Sequence, residues 1–100
     1  MAIWRVFVRG RFGELDEGTR DRLLADLDQH DVLAARFTPE GSLTYERMLH
    51  NFTFRIEVRD PEEDGALERA EARAVTVLEV ARIPYRDLRV SATDMASVWD

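Results

Sequence analysis

The run FTFRIEVRD at residues 52–60 constrains the fold of this chain more than any other segment. Apolar side chains occupy every second position from Phe52 to Val58, and Thr, Arg, Glu and Arg occupy the positions that follow them. Successive side chains of a β-strand point to opposite faces, so the run predicts a strand with one apolar and one ionic face. The apolar face belongs in a core, whereas the ionic face either is solvated or binds a partner.

The run AIWRVFVRG at residues 2–10 predicts a second strand of the same kind. Trp4 and Val8 lie on its apolar face, and the other face alternates arginine with bulky apolar residues. After a glycine-containing loop, Asp16 is a suitable N-cap for a helix. Apolar residues at helical spacing predict that this helix continues to about His30.

Residues 32–38 (VLAARFT) are ambiguous, because they can extend the helix or form a short extended segment. A residue that precedes proline avoids the helical conformation, which favours extension at Thr38. The sequence from Pro39 to Gly41 is a turn signal. The alternating run Ser42–Met48 then predicts a strand that forms a hairpin with residues 52–60.

The second helix has the clearest start signal in the chain. Asp60 is placed as the N-cap, Pro61 as the first helical residue, and Glu63 at capping-box spacing. An apolar stripe follows, and Pro84 prevents the helix from continuing further. The stripe consists of Leu67, Ala70, Ala74, Val77, Leu78 and Ala81.

The part of the chain after Pro84 predicts one more strand and a tail. Residues 85–90 form the strand, and residues 91–100 (SATDMASVWD) form the tail. Met95 and Trp99 are too apolar to leave in solvent, so we expect them to pack against the core or a partner subunit.

The order strand, helix, strand, strand, helix, strand is that of a ferredoxin-like βαββαβ domain. One hundred residues are enough for a single domain, residues 1–100. We therefore predict an α+β fold in which an antiparallel sheet carries both helices on one face. Residues 2–10 and 52–60 should be the central strands, and residues 32–38 would add a short edge strand if they are extended.

The face of the sheet away from the helices is the candidate binding surface. All fourteen basic residues of the chain are arginine, and the planar guanidinium group binds carboxylate and phosphate with paired hydrogen bonds. The face is either a self-paired, solvated ladder of charges, or a floor for an anionic small molecule or an acidic partner surface, or a dimer interface. The candidate ligand-binding residues are Arg5, Arg9, Arg55, Glu57 and Arg59.

An alternative function is a small cofactor-free enzyme, of the type of the dimeric α+β barrels that act on aromatic or polyketide-like substrates. Its candidate pocket contains Tyr45, His50 and Tyr85, whose side chains are capable of acid–base chemistry. The sequence assigns no catalytic residue, so enzymatic activity is left open. The two histidines are far apart and cysteine is absent, so we expect no metal site and no cofactor.

The overall charge and hydropathy exclude several classes of partner. Twenty acidic and fourteen basic residues give a formal charge of −6, which opposes nucleic-acid binding. No stretch approaches the roughly 20 apolar residues that cross a bilayer, so we expect no membrane association. We expect a cytoplasmic protein and, because a chain this short buries only about two-thirds of its unfolded surface, a homodimer.

Four segments together resemble an actinobacterial family of about 100-residue proteins of unknown function: VRGRF, HDVLAARFTPEGSLTYER, FTFRIEV and YRDLRVSATDMASVW. The resemblance covers nearly the whole chain, and TPEGSLTYER and ATDMA are its most specific parts. It implies an actinobacterial source, in agreement with the absence of lysine. It implies no reaction and therefore assigns no functional residue.

Overall fold

The computed structural model of the protein describes residues 2–95. Four strands and two helices follow one another as β1 (Ala2–Phe12), α1 (Glu17–Ala25), β2 (Ser42–Tyr45), β3 (Asn51–Asp60), α2 (Glu63–Val80) and β4 (Tyr85–Asp94). This order confirms the predicted α+β class and the ferredoxin-like layout.

The four strands form one antiparallel sheet in the order β2-β3-β1-β4. β1 and β3 are therefore central, as the ferredoxin-like order of elements predicts. Their register places Val6 opposite Ile56 and Val8 opposite Phe54. All four side chains are buried and form the centre of the core.

α2 covers the apolar face of the sheet. Ala66, Ala70, Ala74 and Leu78 recur every four residues and are buried almost completely. Small side chains on this stripe let the helix lie close to the sheet. Three residues of the predicted stripe, Ala70, Ala74 and Leu78, are buried, and its other members are partly buried against the core, whereas the buried Ala66 was not predicted.

α1 begins where the sequence predicts it. The side chain of Asp16 accepts a hydrogen bond from the backbone N–H of Thr19 at 2.7 Å. This hydrogen bond lowers the pKa of Asp16 below its usual value. The N-cap prediction is confirmed.

The end of α1 differs from the prediction. The helix ends at Ala25, and a 3₁₀ helix at Leu27–His30 replaces the predicted continuation to about His30. The reason is tertiary: the Nδ1 atom of His30 lies 2.9 Å from the carbonyl oxygen of Leu43, and its ring stacks on Tyr45 with centroids 5.1 Å apart. These contacts fix the segment to β2 instead of to the axis of α1.

Residues 32–38 neither extend the helix nor form a complete edge strand. Val32–Ala34 forms a second 3₁₀ helix, and Thr38 forms an isolated parallel bridge with Ile56. The carbonyl oxygen of Thr38 accepts a hydrogen bond from the N–H of Glu57 at 3.0 Å. This segment therefore covers part of the β3 edge that the short β2 leaves unpaired.

Strand lengths also differ from the prediction, because pairing partners decide where strands end. β1 extends past Gly10 to Phe12, because its last residues pair with the start of β4. β4 extends past Val90 to Asp94, because its last residues pair with β1. β2 ends at Tyr45 instead of Met48, where the chain turns toward β3. The predicted packing of Trp99 lies outside the described residues.

α2 begins two residues later than predicted, with Glu62 instead of Asp60 at the N-cap position. Asp60 is the last residue of β3 and is buried. Its carboxylate accepts a hydrogen bond from the N–H of Glu62 at 2.9 Å and lies 3.2 Å from Nε of Arg69. Asp60 thus stabilises the start of α2 from within the sheet.

Candidate functional site

The side of the sheet away from α2 carries polar side chains from all four strands, and we call it the open face. By register it consists of Ile3, Arg5, Phe7, Arg9 and Arg11 on β1, Ser42 and Thr44 on β2, Asn51, Thr53, Arg55, Glu57 and Arg59 on β3, and Arg86, Arg89, Ser91 and Thr93 on β4. Glu57 is the one acidic residue in this set. The open face is therefore strongly basic although the chain as a whole is acidic.

Phe7 lies at the centre of the open face, and three arginines pack on its ring or on the ring of its neighbour Phe37. Its ring packs edge-to-face against Phe37, with centroids 5.2 Å apart. The guanidinium carbon of Arg9 lies 4.3 Å from the Phe7 centroid and that of Arg55 lies 5.5 Å from it. Arg5 lies 5.0 Å from the centroid of Phe37. We call these five residues the Phe7 cluster.

Within residues 2–95, no ion pair neutralises the Phe7 cluster. Glu57 stands directly opposite Arg5 in the register of β1 and β3, yet the two form no salt bridge. Arg5 stacks on Phe37 instead. Cation–π contacts of this kind hold a guanidinium group against the sheet, while its in-plane N–H groups stay available to a ligand.

Arg55 is the partly buried arginine of the cluster. Its Nη1 donates a hydrogen bond to Oγ1 of Thr44 at 2.8 Å, and that hydroxyl donates to the carbonyl oxygen of Thr53 at 3.3 Å. Burial lowers the pKa of Arg55, and the positive charge of Arg9 lowers it further. Both causes act because Arg55 is partly removed from water without a counter-charge beside it.

A cleft of about 570 Å³ opens beside Arg55, between β3 and the 3₁₀ segments that follow α1. Asp28, Asp31 and Glu46 line it together with Arg47 and Arg55, so acidic residues outnumber basic ones in the cleft. The side of Arg55 that faces Phe7 is the basic side, so an anion is favoured there and opposed in the cleft.

The structure brings together three of the five ligand-binding residues that the sequence suggests. Arg5, Arg9 and Arg55 belong to the Phe7 cluster. Glu57 lies beside them. Arg59 is further along β3 and lines a separate cleft of about 540 Å³.

Two important members of the cluster are not among the candidate residues derived from the sequence. The position of Phe7 can be predicted from the sequence, because the alternation of β1 places this apolar side chain on the ionic face. The position of Phe37 cannot be predicted in this way, since it depends on the path of residues 32–38 and the bridge at Thr38.

Tyr45 of the alternative pocket is a core residue. Its side chain is buried, and its hydroxyl donates a hydrogen bond to the carbonyl oxygen of Leu23 at 2.7 Å. Burial, followed by the negative charge of Asp26, raises its pKa to about 12. The hydroxyl is thus engaged within the fold.

His50 and Tyr85 lie at other places. His50 is in the turn between β2 and β3 and lines a cleft of about 530 Å³ together with Arg11 and Arg20. Tyr85 starts β4, opposite Phe12. Among five clefts along residues 2–95, none contains two of the three residues of the alternative pocket. The enzyme alternative stays a prediction.

Two other kinds of feature are absent from the described part of the chain. Residues 2–95 contain no group of three His, Cys, Asp or Glu side chains that could hold a metal ion. None of the helices within this range combines the length and apolar character of a membrane span.

Comparison with known proteins gives a family and no activity. No curated protein and no solved structure matches the chain. A family of unknown function, DUF6204, matches residues 1–99. The expectation of a family without an established function is confirmed, and the chain belongs to DUF6204.

Proposed function

We propose that the open face binds a small anionic ligand, held by Arg5, Arg9 and Arg55 of the Phe7 cluster. The observation that supports this proposal is the convergence of three guanidinium groups on one aromatic pair without a carboxylate partner in residues 2–95. Acidic residues outnumber basic ones in this chain. A shortage of carboxylates therefore does not account for the unpaired arginines.

The chemistry of the cluster suits a ligand that combines a carboxylate with a flat apolar part. Stacked guanidinium groups offer paired N–H donors to an oxyanion. The rings of Phe7 and Phe37 provide apolar contact beside these donors. A negative charge would also relieve the repulsion between Arg9 and Arg55. An aromatic carboxylate meets these requirements, and an acidic protein surface is the other class of ligand that meets the electrostatic ones.

Isothermal titration calorimetry with benzoate tests the proposal, and benzamide serves as its uncharged counterpart. We expect the wild-type protein to bind benzoate and to give no measurable binding of benzamide. Arg55→Gln should weaken benzoate binding at least tenfold. A hydrogen bond to a charged group contributes about 1.5–3 kcal/mol, and about 1.4 kcal/mol corresponds to a factor of ten.

Arg59→Gln is the matched control. It removes the same charge from the same strand, at a position opposite Ile3 and outside the Phe7 cluster. We expect it to bind benzoate as the wild-type protein does. The proposal fails if wild-type protein does not bind benzoate, or if Arg59→Gln loses as much affinity as Arg55→Gln.

We further propose a cytoplasmic homodimer from an actinobacterial source. Without cysteine the fold needs no disulfide and therefore no oxidising compartment, and the absence of lysine agrees with the resemblance to actinobacterial proteins. β4 supports dimerisation, since it is a ten-residue strand at the edge of the sheet, and an exposed edge can pair with the same strand of another copy. Analytical ultracentrifugation measures the assembly directly, and a monomer at all concentrations would contradict the dimer.

A further inference from the structure

An irregularity in β4 places two arginines on the open face. Arg86 and Arg89 are three residues apart, and side chains at that spacing point to opposite faces in a regular strand. In β4, however, Arg89 stands opposite Arg9 and Arg86 stands opposite Arg11. The register shifts between these two pairs, and Asp87 has a φ angle of 56°. The bulge therefore directs both arginines toward the face that carries Arg9 and Arg11.

The result is two successive pairs of like charges across neighbouring strands. Residues directly opposite on one face have Cβ atoms about 4.5–5.5 Å apart, and like charges at directly opposite positions destabilise a sheet. Within residues 2–95, none of the four arginines forms an ion pair. Asp87 lines the cleft that contains Arg9 and Arg89, and it too forms no salt bridge in that range.

The like charges thus depart from what stability favours. Aspartate is one of the few residues with a side chain that adopts a positive φ angle readily, and β-bulges frequently re-aim side chains beside functional sites. The repulsive arginine pairs depend on this same bulge. Departures of this kind are expected where a ligand, absent from the folded chain itself, supplies the missing interaction.

Two clefts meet at these arginines. The first has a volume of about 450 Å³ and is lined by Arg9, Arg11 and Arg89. The second has a volume of about 530 Å³ and is lined by Arg11 and Arg86. Asn51, which stands opposite Arg11 on β3, lines both clefts and adds an amide group to the shared wall.

The rim of the second cleft carries charges of both signs. Arg20 adds to its basic character, His50 contributes an imidazole ring, and Glu14 is an acidic residue of the same lining. Within the described residues, Glu14 forms no salt bridge with any of these side chains. Arginines therefore outnumber acidic residues in the lining of the second cleft.

We infer that Arg9, Arg11, Arg86 and Arg89 bind an anion with two linked phosphate groups. Each pair supplies two guanidinium groups, and each guanidinium group can hold phosphate oxygens with paired hydrogen bonds. A singly charged carboxylate would leave most of the four positive charges uncompensated, whereas a diphosphate compensates them. The site adjoins the Phe7 cluster through Arg9, but it goes beyond the proposed function and does not depend on benzoate binding.

Calorimetric titration with inorganic pyrophosphate tests the inference, with inorganic phosphate as the matched single-phosphate probe. We expect the wild-type protein to bind pyrophosphate at least tenfold more tightly than phosphate. Arg86→Gln/Arg89→Gln should weaken pyrophosphate binding at least tenfold and keep benzoate binding, since it leaves the Phe7 cluster intact. Arg59→Gln, which removes an arginine from the far end of β3, should bind pyrophosphate as the wild-type protein does.

Circular dichroism confirms that each variant is folded, and Arg89→Gln alone replaces the double variant if that variant is unfolded. Equal affinity for pyrophosphate and phosphate would overturn the inference, and so would unchanged affinity in the arginine variant. Tighter binding of a short single-stranded oligonucleotide than of pyrophosphate would also overturn it, in favour of a nucleic-acid surface. If the wild-type protein binds benzoate but does not prefer pyrophosphate to phosphate, the diphosphate site alone is refuted. If it prefers pyrophosphate but does not bind benzoate, the proposed function alone is refuted.

Discussion

Repulsion between Arg9 and Arg55 is a measurable consequence of the unpaired Phe7 cluster. Their guanidinium carbons lie 4.3 and 5.5 Å from the centroid of the same ring, so they are no more than about 10 Å apart. Two unit charges at 10 Å repel each other by about 0.4 kcal/mol at the dielectric constant of water, and by about 1.7 kcal/mol at an effective constant of 20. Arg9 is exposed, so solvent screening moves the expected value toward the lower figure.

A double-mutant cycle with Arg9→Gln and Arg55→Gln isolates the repulsion energy between these two arginines. Glutamine keeps a polar side chain of useful length and removes the charge. We expect an unfavourable coupling of about 0.4–1.7 kcal/mol in the free energy of unfolding, obtained from urea denaturation at low salt. The Debye length falls to about 3 Å at 1 M salt, so the coupling should approach zero there.

The pair Arg9 and Arg59 provides the control cycle. Arg59 stands opposite Ile3, and Arg9 lies six positions further along β1, or roughly 20 Å. That cycle should show no coupling at any salt concentration. A favourable coupling between Arg9 and Arg55, or one that grows as salt is added, would mean that a counter-charge lies between them. Either result would refute the description of the cluster as unpaired.

Two further predictions concern the core. Tyr45→Phe should lower the free energy of unfolding by about 1–3 kcal/mol in urea denaturation, because the carbonyl oxygen of Leu23 loses its hydrogen-bond donor. The raised pKa of Tyr45, about 12 in the folded protein against an ordinary 10, predicts a loss of wild-type stability as pH rises from 10 toward 12. Tyr45→Phe should lack this loss, and an equal decline in both proteins would contradict the assignment. Gly41→Ala should lower the melting temperature, since Gly41 has a φ angle of 95° and an added Cβ would collide with the ring of Phe54. An unchanged melting temperature would contradict this packing.

The candidate site depends on both local and non-local information. Arg5 and Arg9 share a face because they are an even number of residues apart on one strand, and Arg55 joins them once β1 and β3 are paired. Parity of this kind can be read from the alternation alone. The contact of Arg5 with Phe37 in place of Glu57 cannot be predicted from the alternation, because it depends on the path of residues 32–38.

The sequence by itself determined the class of fold, the central position of β1 and β3, and the packing stripe of α2. The class of fold and the central strands follow from the order of the elements. The stripe of α2 follows from an apolar period within one segment, and burial of that face is favourable wherever the segment packs. Only the tertiary structure decided the end of α1, the position of Phe37 and the bulge that turns Arg86 and Arg89 to one face. These features arise from contacts between segments far apart in the chain, such as His30 with Leu43 and β4 with β1, and no pattern within a single segment records them.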